Sequence, residues 1–211
     1  MARKTKIEAL VTRDNILDSA ERLFVHQGVS RTTLQQIAQR AGVTRGAIYW
    51  HFADKAALFD AMLLRVKMPF EAALNAIEQA DSTDPIGNLR EYAQMVFRVT
   101  ESDARAQRVF EILTLKVEFV DELAAARQRR AEMQLCWMES VEGRIRSAVR
   151  SGQAPPGLDA GAAALGLWAL IDGLLRAWLI APESFSLSGM GAAIVSAHLD
   201  SLVNRIPAPA A

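Results

Sequence analysis

Apolar residues recur at helical spacing along almost the whole chain. Within Arg13 to Phe24, the positions Ile16, Ala20, Leu23 and Phe24 share one face of a helix that Gly28 closes. Thr32 is placed to cap a second helix, with Gln35 completing a capping box and Leu34, Ile37, Ala38 and Ala41 on its buried stripe; Gly42 ends it. Thr44 caps a short third helix carrying Ala47, Ile48 and Trp50 and ending near His51 and Phe52. Asp54 caps a fourth, with Leu58, Phe59, Met62, Leu63 and Val66 inward, kinked at Pro69 and running to about Ala80.

The same period resumes behind Asp84 and Pro85, a cap and a natural first helical residue, and continues through Leu89, Tyr92, Val96 and Phe97. Glu101 to Asp103 is a break, after which a helix through Phe110 and Leu113 and a long one from about Asp121 to Val149 are predicted. The stretch Gly152 to Gly157, with Pro155 and Pro156, is the clearest loop. Two further helices span Asp159 to Ile180 and Leu187 to about Arg205. No run alternates as a strand does. The prediction is an all-α fold of about nine helices: a small N-terminal domain over 1–53 with a helix-turn-helix at about 33–52, a larger helical bundle over 54–206, and a disordered tail over 207–211.

The stretch TLQQIAQRAGVTRGAIYWHFADK, Thr33 to Lys55, sets two short amphipathic helices around the turn Ala41, Gly42, Val43. Such a pair presents the outer face of its second helix, and a helix fits the major groove. That face offers Thr44, Arg45, Gly46, Tyr49, Trp50 and His51. Arg45 can give guanine O6 and N7 a bidentate pair, and Gly46 lets the backbone come close. Thr44, Tyr49 and His51 carry donors suited to phosphate oxygens. The first turns after Thr32, Thr44 and Asp54 are candidate phosphate clamps, helped by Thr33 and, in the last, by Lys55, and the arm Arg3, Lys4, Lys6 is expected to reach a neighbouring groove or backbone. A generic helix pair would show the same turn, so spacing alone leaves DNA binding and plain packing both open. Phe52, and part of Trp50, are assigned to packing.

Composition narrows the class. The chain has 211 residues, 51% hydrophobic and 23% charged, with a net charge of zero. The first 60 residues carry nine Lys or Arg against six Asp or Glu, and the remainder fifteen against eighteen, so the small positive excess is N-terminal. One cysteine, Cys136, excludes an intrachain disulfide and multi-cysteine metal sites, and its apolar helical setting predicts a buried thiol. No signal-peptide core follows the basic N-terminus, and the uncharged run Ala160 to Ile171 is shorter than a bilayer needs, so a cytoplasmic protein without membrane or metal is expected. His26, His51 and His198 are too scattered for a credible catalytic site.

The segment Arg13 to Met62 closely resembles the DNA-binding domain of the TetR family of bacterial transcriptional repressors, in particular the branch that controls multidrug efflux pumps. The motifs that carry the likeness are Thr12, Arg13, Ile16, Leu17, Ala20 and Phe24; Gly28 to Thr33; Ile37 to Val43; and Arg45, Gly46, Ala47, Ile48, Tyr49, Trp50, His51, Phe52 with Lys55. The resemblance implies a cofactor-free homodimeric repressor with three N-terminal DNA-binding helices and a divergent C-terminal bundle for effector and partner. It matches Thr44, Arg45, Gly46, Tyr49 and His51 to the recognition helix, and Thr33 and Lys55 to phosphate contacts.

Beyond residue 65, Val96, Phe110, Met133, Trp137, Trp168, Ile171 and Leu175 are bulky side chains of the kind that line an adaptable apolar pocket, although each alone is ordinary core. Asp172 and Arg176 share a face of an otherwise apolar helix and are spaced to pair. They anchor a pocket, pair at a subunit interface, or meet solvent. Leu167, Leu170, Leu174, Ile194, His198 and Leu202 are the dimerisation candidates. The expected partners are double-stranded operator DNA, a small hydrophobic or aromatic effector and a second subunit.

Overall fold

A computed structural model describes residues 6–65, 83–117 and 124–204. Among them every regular element is helical. The arm Arg3 and Lys4, the kink at Pro69 and the tail over 207–211 lie outside the described residues. The chain divides into two compact units, one built from 6–65, 105–117 and 124–129, the other from 83–104 and 130–204.

In the first unit, α1 spans Lys6–Gln27, α2 Leu34–Ala41, α3 Arg45–His51 and α4 55–65; α6, Ala104–Glu111, enters at its second residue and runs into a π-helical turn, Ile112–Lys116. Its core is Ile16, Leu17, Ala20, Phe24, Ile37, Ile48, Leu58, Phe59 and Met62, all at or near zero exposure, with the Phe24 and Phe59 rings 6.3 Å apart. These are the apolar positions that the helical period selects. Helix α1 begins seven residues earlier than expected, because its first turns carry Ile7, Leu10 and Val11 in exposed positions that no inward-facing stripe reveals.

The cap of α2 sits one residue later than predicted. Thr33 and Gln36 form the reciprocal capping box, while Thr32 is fully buried and its hydroxyl donates to the Gly28 carbonyl at 2.7 Å. Gly42 closes α2 at φ 66°, ψ 30°, the left-handed conformation that a residue without Cβ adopts freely. Thr44 caps α3 by accepting from Ala47 N–H at 3.2 Å, and Asp54 caps α4 by accepting from Ala57 N–H at 2.7 Å.

The second unit contains α5, Pro85–Ser102, most of α7, Ala124–Arg150, then α8, Ala160–Ile180, and α9, Ala192–Val203. Asp84 caps α5, as its position predicts, and Asp159 caps α8 by accepting from Ala162 N–H. The last helix is entered through a π-helical turn, Leu187–Gly191, which the sequence pattern does not distinguish from ordinary helix. Glu101, at the end of α5, fixes that turn by accepting from Leu187 N–H and Ser188 N–H, both at 3.0 Å. Ser188 chiefly, with Leu187, holds its carboxyl below the ordinary glutamate range. Phe97, Leu89, Val141, Ile145, Ala164, Leu167, Val195 and Leu199 form this unit's core.

Helix α8 is long and apolar enough to cross a bilayer by length and composition. Its alternate faces separate instead: Ala163, Ala164, Leu167, Ile171, Leu175 and Trp178 are buried, whereas Leu165, Ala169, Gly173, Ala177 and Ile180 are exposed. Cys136, expected to be buried, is exposed, because it falls on the outward side of α7 beside Leu135.

Candidate DNA-binding site

Helix α3 is too short to be stable alone, and tertiary contacts hold it. Ile48 is its fully buried residue, Phe52 seals its end at 4% exposure, and the Arg13 guanidinium of α1 lies 5.1 Å from the Phe52 ring centre. Asn15, also on α1, donates to the Ala41 carbonyl at 2.8 Å and so fixes the end of α2. Sequence reasoning missed Arg13 and Asn15 in these roles, since their partners lie 39 and 26 residues away and no local pattern joins them.

With one side so anchored, the rest of α3 faces outward. Thr44, Arg45, Gly46, Tyr49 and Trp50 are exposed and His51 is half-exposed. Trp50 is 73% exposed, so packing does not account for it; its only ring neighbour among the described residues is His51, edge-on at 4.5 Å. Arg45 lies over the Tyr49 ring, 5.5 Å from its centre, and donates to the Tyr49 hydroxyl at 3.0 Å. Gly46 stands one turn before Trp50, with nothing but the Thr44 hydroxyl, 3.9 Å away, near the position of a Cβ.

Beside this face is a cleft of about 500 Å³ lined by Ser30, Thr33, Gln35, Arg45, Tyr49 and Lys55, among others, and, among the described residues, by no acidic side chain. Thr33 is exposed, and its hydroxyl is engaged with Gln36 in the cap. Lys55 differs from expectation: it is 5% exposed, and its Nζ donates to the carbonyls of Val29 at 3.1 Å, Ser30 at 3.3 Å and Thr32 at 3.1 Å. Three donors so directed pin the loop before α2 onto the start of α4. Lys55 therefore gives the cleft its charge and shape instead of a side chain reaching out to a phosphate. Two of the acids of α1, Asp18 and Glu21, are paired with Arg65, Arg105 and Arg108. A donor-rich helix beside a cation-lined cleft suits base edges and backbone phosphate together.

In the second unit, Val96, Ile171 and Leu175 are buried; Met133, Trp137, Trp168 and Asp172 are half-buried; Arg176 is exposed. Phe110 belongs to the first unit and the other candidates to the second. Tyr92 and Trp137 place their rings 6.4 Å apart. Asp172 and Arg176 do not form the ion pair their spacing allows. Both act on Arg130 of α7, whose ionisation burial lowers most, with Asp172 raising it and Arg176 lowering it. Of the dimerisation candidates, Leu167 at 1% and Leu202 at 5% exposure lie inside the unit's own core, Leu170, Leu174 and His198 are half-buried, and Ile194 is 40% exposed. The period of the helix explains the difference: the buried and the exposed stripes of α8 are both rich in apolar residues, so hydrophobicity alone does not tell them apart.

A buried scaffold that leaves one short helix projecting Arg45, Gly46, Tyr49 and Trp50 defines a helix-turn-helix DNA-binding protein. Residues 16–62 match the model of bacterial regulatory proteins of the tetR family, and residues 84–204 match the C-terminal region of MAATS-type transcriptional repressors. The chain belongs to the TetR family. It is 44% identical over 202 residues to the transcriptional regulator TtgR of Pseudomonas putida, covering 96% of each chain. Among solved structures it is similar to NalD, the secondary repressor of the MexAB-OprM multidrug efflux pump in Pseudomonas aeruginosa, at 33% identity and a TM-score of 0.86, covering 95% of this chain and all of NalD. It is also similar to SmeT in complex with triclosan, at 31% identity and a TM-score of 0.80, over 95% and 99% of the two chains.

Proposed function

We propose that this protein is a cytoplasmic homodimeric repressor that binds a palindromic operator, controls a multidrug efflux pump operon and is released by small hydrophobic or aromatic compounds. The observation that carries the reading is the projecting face of α3 beside the acid-free cleft. Arg45 and Trp50 read bases, Gly46 permits close approach, Thr33, Thr44, Tyr49 and His51 hold phosphates, and the arm Arg3, Lys4 lies along the neighbouring backbone. The relatives' efflux-pump repression supports the choice of operon.

The exposed apolar stripe of α8, with Ile194 of α9, supports a two-fold interface. A dimer spaces two α3 helices for successive major grooves. The effector cavity is assigned to Val96, Met133, Trp137, Trp168, Ile171 and Leu175, with Asp172 and Arg176 as polar anchors. An effector that binds one quaternary geometry more tightly draws the population away from the operator-competent one.

The test is titration of the protein onto a duplex of the DNA upstream of its gene, with and without triclosan, alongside sedimentation. A salt-dependent preference for a palindrome, a dimer at micromolar concentration and release by triclosan are expected. Equal affinity for random duplex would refute the operator reading.

A further inference from the structure

The chain passes between its two units three times, and on the DNA-binding side each passage carries a paired arginine. The passages lie between residues 65 and 83, between Ala104 and Arg105, and between Arg129 and Arg130. Arg65, at the last described position of α4, donates to Asp18 at 2.7 Å and to Glu21 at 3.1 Å, and stands 3.7 Å from Asp14. Arg105 and Arg108, on the first two turns of α6, reach the same carboxylates, Asp18 and Glu21, each at 3.4 Å. Arg129 pairs with Asp60 of α4.

Two separate connections are thus fastened to one pair of acids on α1. The Oδ1 atom of Asp18 accepts from both Arg65 and Arg105, and the two oxygens of the fully buried Glu21 are divided between Arg65 and Arg108. A buried ion pair is a poor general stabiliser, since desolvation offsets much of its attraction. A shared carboxylate does something apolar packing does not: closer approach by one arginine weakens the hold of the other. Helix α1 in turn holds both elements of the reading head, α2 through Asn15 and the end of α3 through Arg13.

We propose that Asp18 and Glu21 form a shared ionic joint through which a displacement of α4 or α6 reaches the helix-turn-helix, with Arg105 and Arg108 acting as positioning residues that touch neither DNA nor effector. The joint rests on the effector-responsive reading above. Covalent continuity supplies the drive, because only Asp103 separates the end of α5 in the second unit from α6. The long 3.4 Å contacts of Arg105 and Arg108 are the ones a small shift of α6 makes or breaks.

The experiment compares the full-length protein with an Arg105→Gln/Arg108→Gln variant, by operator anisotropy with and without triclosan and by calorimetry of triclosan binding. Triclosan is expected to lower wild-type operator affinity about tenfold or more and that of the variant less than about twofold. Operator affinity without triclosan, and triclosan affinity itself, should stay within about threefold of wild type, and lysine at both positions should restore part of the response. Full release from the folded variant overturns the joint. Should the variant lose its fold, hydrogen exchange on the wild-type protein decides: triclosan should speed exchange in α6 and in the middle of α1 together, and release with both unchanged overturns the proposal. A wild-type protein that holds its operator at the solubility limit of triclosan overturns the effector-responsive reading, and the joint with it.

Discussion

Arg45 and Tyr49 form a unit one helical turn apart: the guanidinium lies over the phenol ring and donates to its hydroxyl at 3.0 Å. The ring holds in place a side chain that would otherwise lose much rotamer freedom on meeting DNA. Arg45→Ala should weaken operator binding by about 1–3 kcal/mol, roughly five- to 150-fold, and relax preference at one base pair. Both residues are exposed, so the melting temperature should hardly move. Anisotropy titrations against single-base operator variants, with a thermal melt as control, measure this.

Lys55 behaves in the opposite way. Its ammonium is buried and satisfies three carbonyls, so Lys55→Ala leaves three acceptors without their donor. A loss of about 2–4 kcal/mol of stability is expected in urea unfolding, with operator binding falling as a consequence. An unchanged midpoint would show that the loop before α2 does not depend on this anchor.

Gly42 isolates a purely backbone effect. It sits at positive φ with nothing within 4 Å of a Cβ position, so Gly42→Ala meets no steric neighbour. The substitution should still cost about 1 kcal/mol, because alanine must enter the left-handed region. A calorimetric melt that shows no decrease would contradict the observed cap.

Acid sensitivity follows from Glu101. Its folded-state pKa is depressed below the ordinary 4.5, with Ser188 as the leading cause. Its contribution is therefore complete above that ordinary value and is lost as pH falls through the folded value. Glu21 has the reverse sign: burial raises its pKa, so its charge opposes folding as pH rises from 4.5 towards the raised value. Glu101→Gln should lower stability at pH 7 and flatten the loss of stability below pH 4.5, read as urea midpoints across a pH series.

The two apolar faces of α8 separate a folding role from an assembly role. Leu167→Arg places a charge in the core and should prevent folding, whereas Leu165→Arg, at an exposed position, should leave a folded chain that sediments as a monomer and binds its operator poorly. A dimeric Leu165→Arg protein would move the interface elsewhere.

Local physics made much of the protein legible. The helical period of Ile16, Ala20 and Phe24, the caps Thr44, Asp54, Asp84 and Asp159, and the glycine after α2 depend on neighbours within a few positions, so a linear chain displays them. The helix-turn-helix motif is equally compact, which is why the outward set Arg45, Gly46 and Tyr49 follows from the sequence alone. Long-range contacts decided the rest. Whether Lys55 points out or in depends on the loop at Val29 to Thr32 folding over it, and whether Leu165 or Leu167 faces the core depends on how α9 meets α8. The pairing of Asp18 and Glu21 with arginines 44 to 87 residues away is a property of the assembled bundle, because side chains so far apart in sequence acquire a common partner only when packing brings their helices together.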